Sequence, residues 1–206
     1  AVYASVFYRS SKDYMTATSN VIDQEKMAII LQEVVGKQHD TRFYPVISGV
    51  ARSINYYPIG DEKAEEGTVN LALGLGKYIV DGGQSLRVSP AHPNQVLQMS
   101  EMEMALRDTQ THFLALDMAK MENGVLDFQK DDGFNLRKWS VRDAEPDGTL
   151  LWICSTFDRV DQCIYDGYYE GRNRKIISFA GVLQNGVFPL PELMQKVLKY
   201  GQDEMQ

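Results

Sequence analysis

Thr68-Val69-Asn70-Leu71-Ala72-Leu73-Gly74-Leu75-Gly76-Lys77-Tyr78-Ile79-Val80-Asp81-Gly82-Gly83 is the stretch of this 206-residue sequence on which its reading turns. Thr68 to Leu73 is apolar and partly β-branched, which predicts a strand. Gly74-Leu75-Gly76 punctuates its end, residues 77–80 predict a single helical turn, and Gly82-Gly83 stops that turn before a further strand at Ser85–Val88. Glycines after a strand let backbone N–H groups approach an anion, and Lys77 supplies a charge to neutralise it. The same Gly-x-Gly is also ordinary turn chemistry, because glycine takes the positive φ of a tight turn without steric cost. On the residues alone both readings stand.

Upstream, Val2, Tyr3, Val6, Phe7 and Tyr14 recur at helical spacing and predict an amphipathic helix over 2–16. Met27–Val35 (MAIILQEVV) is a short, β-branched apolar run and predicts a buried strand. Gly36 to Asp40 supplies a turn. Phe43–Ile54 predicts a second strand with Ser48-Gly49-Val50 at its centre, where the glycine marks close approach of a ligand or another backbone. Gln32-Glu33-Val34-Val35 closes an apolar run with a polar pair. Such a strand end offers one carbonyl and one N–H to an adenine edge, with branched neighbours to cover the ring face. It is equally a plain strand end.

Downstream, residues 55–67 read as a polar loop whose acids, Asp61, Glu62, Glu65 and Glu66, sit on a solvated hairpin tip. The texture changes over 90–100. A helix is expected over 99–104, and strands over 113–118, 134–141, 150–157, 164–169 and 175–180. Asp132-Gly133 and Asp147-Gly148 are turn signals between them, and a final helix begins near Pro191. The division expected is a first lobe over 1–95 and a second, mostly β lobe over 96–206. Ala1 opens directly on patterned sequence and the last helix has no polar tail, so the chain reads as a piece cut from a longer protein.

The formal charge is −7, with 44% hydrophobic residues. No basic stripe of the kind nucleic acid requires is present. No apolar run reaches the roughly 18 residues of a membrane span, and a cytoplasmic location is expected. Cys154 and Cys163 have no zinc spacing and read as reduced, buried thiols. His39, His92 and His112 form no pair, and their default duty is in turns or core. No free-standing catalytic motif is present, so neither a catalytic residue nor a metal ligand is assigned. Asp131-Asp132 and the acids between Asp158 and Asp161 read as solvated loops.

The order of these fragments resembles the phosphoenolpyruvate synthase and pyruvate phosphate dikinase family. Val2-Tyr3-Ala4-Ser5-Val6-Phe7 with Tyr14 is similar to the family's "VWASLF…SY" helix, and Ala28–Val35 to its "AVVVQRMV" strand. Ile47-Ser48-Gly49-Val50 is similar to "VSGVLFT", and Leu73–Gly82 to "WGLGEAVVSG". The resemblance covers roughly residues 1–90. It implies an α+β fold, the C-terminal part of an ATP-grasp-like nucleotide-binding domain with a mixed or antiparallel sheet and flanking helices. Gln32, Glu33, Val34 and Val35 would form the hinge at the adenine, with Ser48, Gly49, Gly74, Gly76 and Lys77 also at the nucleotide.

In such enzymes ATP, with magnesium, phosphorylates a histidine on a carrier domain, which passes the phosphoryl group to pyruvate or another acceptor. Positioning and charge neutralisation carry that chemistry. The implied partners are ATP, a preceding ATP-grasp lobe, the carrier domain and a PEP/pyruvate barrel. The phosphate-gripping lysine and arginine and the magnesium acids match nothing in this chain. Ser10, beside Arg9, stands where the family often has arginine; Arg52 replaces Phe and Lys77 replaces Glu. Residues 105–206 look like an insertion found in a subset of long relatives. The resemblance thus implies an isolated piece without activity, and a degenerate regulatory or interaction module is the alternative.

Overall fold

The computed structural model describes residues 5, 7–18, 28–119, 135–171 and 173–204. Three small sheets carry it. β1 (Lys37–His39), β2 (Arg42–Tyr44), β6 (His112–Asp117) and β7 (Leu136–Ser140) lie in the order β1-β2-β6-β7. β3 (Ser48–Arg52), β4 (Thr68–Ala72) and β5 (Leu86–Val88) form a second sheet in sequence order. In the third, β8 (Cys154–Asp158) lies between β10 (Arg174–Ile177) and β9 (Cys163–Asp166). Every pairing among them is antiparallel. The helices are α1 (Arg9–Ala17), α2 (Lys77–Val80), α3 (Met102–Asp108), α4 (Ala180–Leu183) and α5 (Leu190–Glu204). Helices mixed with antiparallel sheets make the fold α+β.

Local sequence accounts for the best-formed parts. β4 is central in its sheet and buried along nearly its whole length, as its unbroken apolar run requires. β6 instead alternates, burying Phe113, Ala115 and Asp117 on one face. α5 buries Met194 and Leu198, four residues apart, and leaves its other face in water. Among the described residues no helix is long and apolar enough to cross a membrane.

Several expected boundaries move. Residues 28–36 take no strand conformation, and Ile30 and Leu31 are 89% and 93% exposed. A strand needs a ladder partner, but β1 pairs with β2 and β3 with β4, so apolar composition alone does not order this run. Met27 lies outside the described residues. The strand expected over 43–54 is cut at Pro45, which has no N–H for a ladder, and its halves enter different sheets as β2 and β3. Gly148, at φ +70, opens a 3-10 turn at Thr149–Trp152, which delays β8 to Cys154. Of the helix expected over 2–16, Ser5 and Arg9–Ala17 are helical; residues 1–4 and 6, like Asp131, Asp132, Gly133 and Phe134, lie outside the described residues.

One cluster of buried side chains takes Leu71 and Leu73 from β4 and its end, Phe113 from β6, and Ile153, Phe179 and Leu198 from the later chain. The expected segments 1–95 and 96–206 are therefore joined by a shared sheet and a shared core.

Candidate functional site

β3 and β4 bring together five of the residues singled out from the sequence. β3 is an edge strand, with Ser48 opposite Ala72 and Gly49 opposite Leu71. Ser48 Oγ donates to the Ala72 carbonyl at 3.4 Å, at the end of β4 that leads into Gly74. A Cβ built on Gly76 would lie 3.7 Å from Ser48 Cβ and 3.8 Å from its Oγ. Ser48 and Gly49 also line an apolar cavity of about 330 Å³ between the β3–β4 sheet and α5, floored by Val69 and Leu71 and roofed by Leu193 and Met194. Ser48 thus stands between an apolar hollow and the open backbone of Gly76.

The two loop glycines do different work. Gly74 has φ +87, and a Cβ there would sit 2.7 Å from the Leu114 carbonyl oxygen and 2.9 Å from Phe113 Cβ. Its N–H donates to Pro45 O at 3.1 Å, and Leu75 N–H donates to Leu114 O at 2.9 Å. These N–H groups are spent on the fold and do not face an anion. Gly76 is different: its φ of −60° suits any residue, and only Ser48 comes within ordinary contact of the missing side chain. Neither backbone conformation nor packing requires a glycine there.

Lys77 Nζ donates to both Asp81 carboxylate oxygens at 2.8 Å, with both side chains about half exposed. Such a surface pair is worth about 0–1 kcal/mol, so an arriving phosphate competes for the lysine on favourable terms. Gln32 to Val35 are exposed, and the structure does not bring them into the β3–β4 sheet. β3, which carries Ser48–Val50, pairs with β4 on one side and has an open edge on the other.

Three polar arrangements escaped the sequence reading. Gln110 is buried and clamps the strand end before Gly74. Its Oε1 accepts from Leu73 N–H at 2.8 Å, and its Nε2 donates to Leu73 O at 2.9 Å and His112 O at 2.8 Å. Glu62, expected on a solvated tip, is buried and accepts from Asn55, Ile59 N–H and Arg87 through Oε2. That network pins the 55–67 loop onto β5.

The third arrangement centres on Asp147. It accepts from Arg42 Nη2 at 2.8 Å and from the Tyr44 hydroxyl at 2.6 Å, while Tyr44 also meets Thr149 Oγ1 at 3.2 Å. Burial alone would raise the Asp147 carboxyl, but hydrogen bonds from Arg42 and Tyr44, with the arginine charge, hold it below its ordinary value. Burial, with the Asp147 bond, pushes the Tyr44 phenol well above its usual range. The bond to Asp147 likewise raises the Arg42 guanidinium. The only sequence signal here was Asp147-Gly148 as a turn.

The chain belongs to the pyruvate phosphate dikinase, AMP/ATP-binding domain family, whose pattern it matches over residues 1–147. No curated protein and no solved structure matches it. The family is nucleotide-binding, and the residues gathered at β3, β4 and α2 suit a nucleotide in kind: glycine backbone, one hydroxyl, one releasable lysine and an apolar hollow. Among the described residues no three His, Cys, Asp or Glu side chains converge as a metal site.

Proposed function

We propose that this chain forms part of an ATP-grasp-like nucleotide site in a phosphoenolpyruvate synthase-type phosphotransferase. The parent protein would move a phosphoryl group from ATP to a carrier histidine and on to pyruvate or another acceptor. The observation that carries the reading is Gly76. It is a glycine the fold does not need, beside Ser48 at the mouth of an apolar cavity, in a chain whose family binds AMP or ATP. A cavity of about 330 Å³, apolar but for the Ser48 hydroxyl in its lining, is of a size that takes a purine. The open Gly76 backbone and Lys77 would then face the phosphates; Gln32–Val35 do not line this cavity and would have to move to reach the adenine edge.

The chain's own contribution is binding and orientation. The isolated chain is expected to be inactive, because the phosphate-gripping and magnesium-holding residues implied by the family resemblance match nothing in it, and transfer of phosphoryl by it alone would overturn that. Calorimetric titration of Mg-ATP into the full-length parent is the direct test. Micromolar binding is expected, weakened about tenfold or more by Gly76→Val or by Gln32→Ala with Val34→Gly. Binding unaffected by both changes sinks the site assignment. A degenerate, non-catalytic module is the second reading, favoured by the Lys77–Asp81 pair, which occupies the one loop cation. Absent or millimolar ATP binding by the parent would select it.

A further inference from the structure

We infer that the cleft between the start of β6, the end of β7 and the start of β10 binds a small molecule through a phosphate group. This cleft is separate from the β3–β4 site and encloses about 210 Å³. Arg142, Arg174 and Lys175 line it, with Glu145 as the one carboxylate in its wall. Three cations against one anion give it a positive character inside a chain of net charge −7. Concave surfaces of one sign focus the field and gather counter-ions.

Arg42, Arg87 and Arg137 each have their own carboxylate: Asp147, Glu62 and Asp117. Arg142, Arg174 and Lys175 have no ion pair among the described residues. Two of them are nonetheless fixed in place. Arg174 Nη2 donates to the Leu106 carbonyl at 2.6 Å. Lys175 is 8% exposed, donates to the Tyr169 carbonyl and lies 4.6 Å over the Tyr168 ring. Lys175 is thus held by a carbonyl and a ring, with Glu145 as the acidic residue of the same wall and no ion pair of its own among the described residues.

The remaining wall suits a phosphate. Arg142 is exposed and lies in the 3-10 turn Val141–Ala144 after Ser140, whose hydroxyl accepts the Arg142 N–H at 3.4 Å and so has its own proton to donate. His112 and Thr111, joined through Nδ1 and Oγ1 at 3.0 Å, border the same space. Guanidinium forks match phosphate oxygens in two-point bonds, which a chloride ion cannot make. Glu145 opposes the charge from one side and so limits affinity.

The test is calorimetric titration of inorganic phosphate, and in parallel O-phosphoserine, into the full chain. Saturable binding is expected, falling steeply with added salt. Arg142→Ala, on an exposed side chain, should weaken it about tenfold. Glu145→Gln should strengthen it, an effect of opposite sign that no loss of folding imitates. Tighter binding of the monoester than of free phosphate assigns the site to a phosphorylated metabolite, and the reverse order to the free ion. No saturable heat with either probe overturns the proposal. So does binding that survives Arg142→Ala but is lost with Lys77→Ala, since the anion would then sit at the glycine loop. ATP binding lost while phosphate binding persists would strike the nucleotide reading alone.

Discussion

Replacing Gly74 by alanine is the sharpest test of how the loop after β4 is built. At φ +87 an L-residue costs roughly 1–2 kcal/mol. The new methyl would press to 2.7 Å against Leu114 O and 2.9 Å against Phe113 Cβ, and Phe113 is fully buried with nowhere to move. Overpacking of that kind adds roughly 1–3 kcal/mol. The sum, roughly 2–5 kcal/mol, is a large share of the ~5–15 kcal/mol that holds a domain folded. Urea unfolding followed by Trp139 and Trp152 fluorescence reads it directly. With a slope of about 2 kcal/mol per molar, the midpoint should fall by about 1–2.5 M. Gly76→Ala, at φ −60 with its nearest neighbour at 3.7 Å, should shift stability by less than about 1 kcal/mol. If both variants unfold alike, or Gly74→Ala stays within about 0.5 kcal/mol of the parent chain, the division of labour between the glycines is wrong.

Two further outcomes follow from the buried groups. Asp147→Ala strands the mostly buried Arg42 guanidinium and removes the Tyr44 acceptor, which should cost about 3 kcal/mol in the same urea assay. Because the folded Asp147 carboxyl lies below its unfolded value of 3.8, its stabilisation is complete above that pH and lost as pH falls through the lower folded value. An acid titration of the variant should therefore lack part of the parent's loss of stability below about pH 4. Burial pushes the Cys154 thiol up to about 11, while Cys163 is only half-buried. Iodoacetamide at pH 7.5, read by peptide mass mapping, should label Cys163 first and Cys154 only when the chain unfolds; equal rates would count against a sealed Cys154.

Local patterns were the legible part. β4, the turn of helix over 77–80, β5, β6 and α5 all follow from periodicity and punctuation within a few residues. The run Ala28–Val35 misled because a strand is made by its neighbour, and composition says nothing about whether that neighbour exists. Pro45 was visible in the sequence, yet the switch it causes from one sheet to another depends on β6, far along the chain. Of the candidate site, Ser48, Gly49, Gly74, Gly76 and Lys77 do meet. Gly74, however, serves the fold, and only Gly76 is left open. Gln110, Glu62 and Asp147 could not be picked out, since a polar residue declares itself buried only through partners up to about a hundred residues away.

That separation also has a consequence in time. Tyr44 and Asp147 stand 103 residues apart, and β2 finds its β6 partner only when Asp117 has been made. At roughly 5–20 residues per second, a ribosome exposes the β1–β2 hairpin for about 5–20 seconds before the Asp147 lock can close. During that interval the nascent chain is a natural client for chaperones that shield unpaired apolar strands.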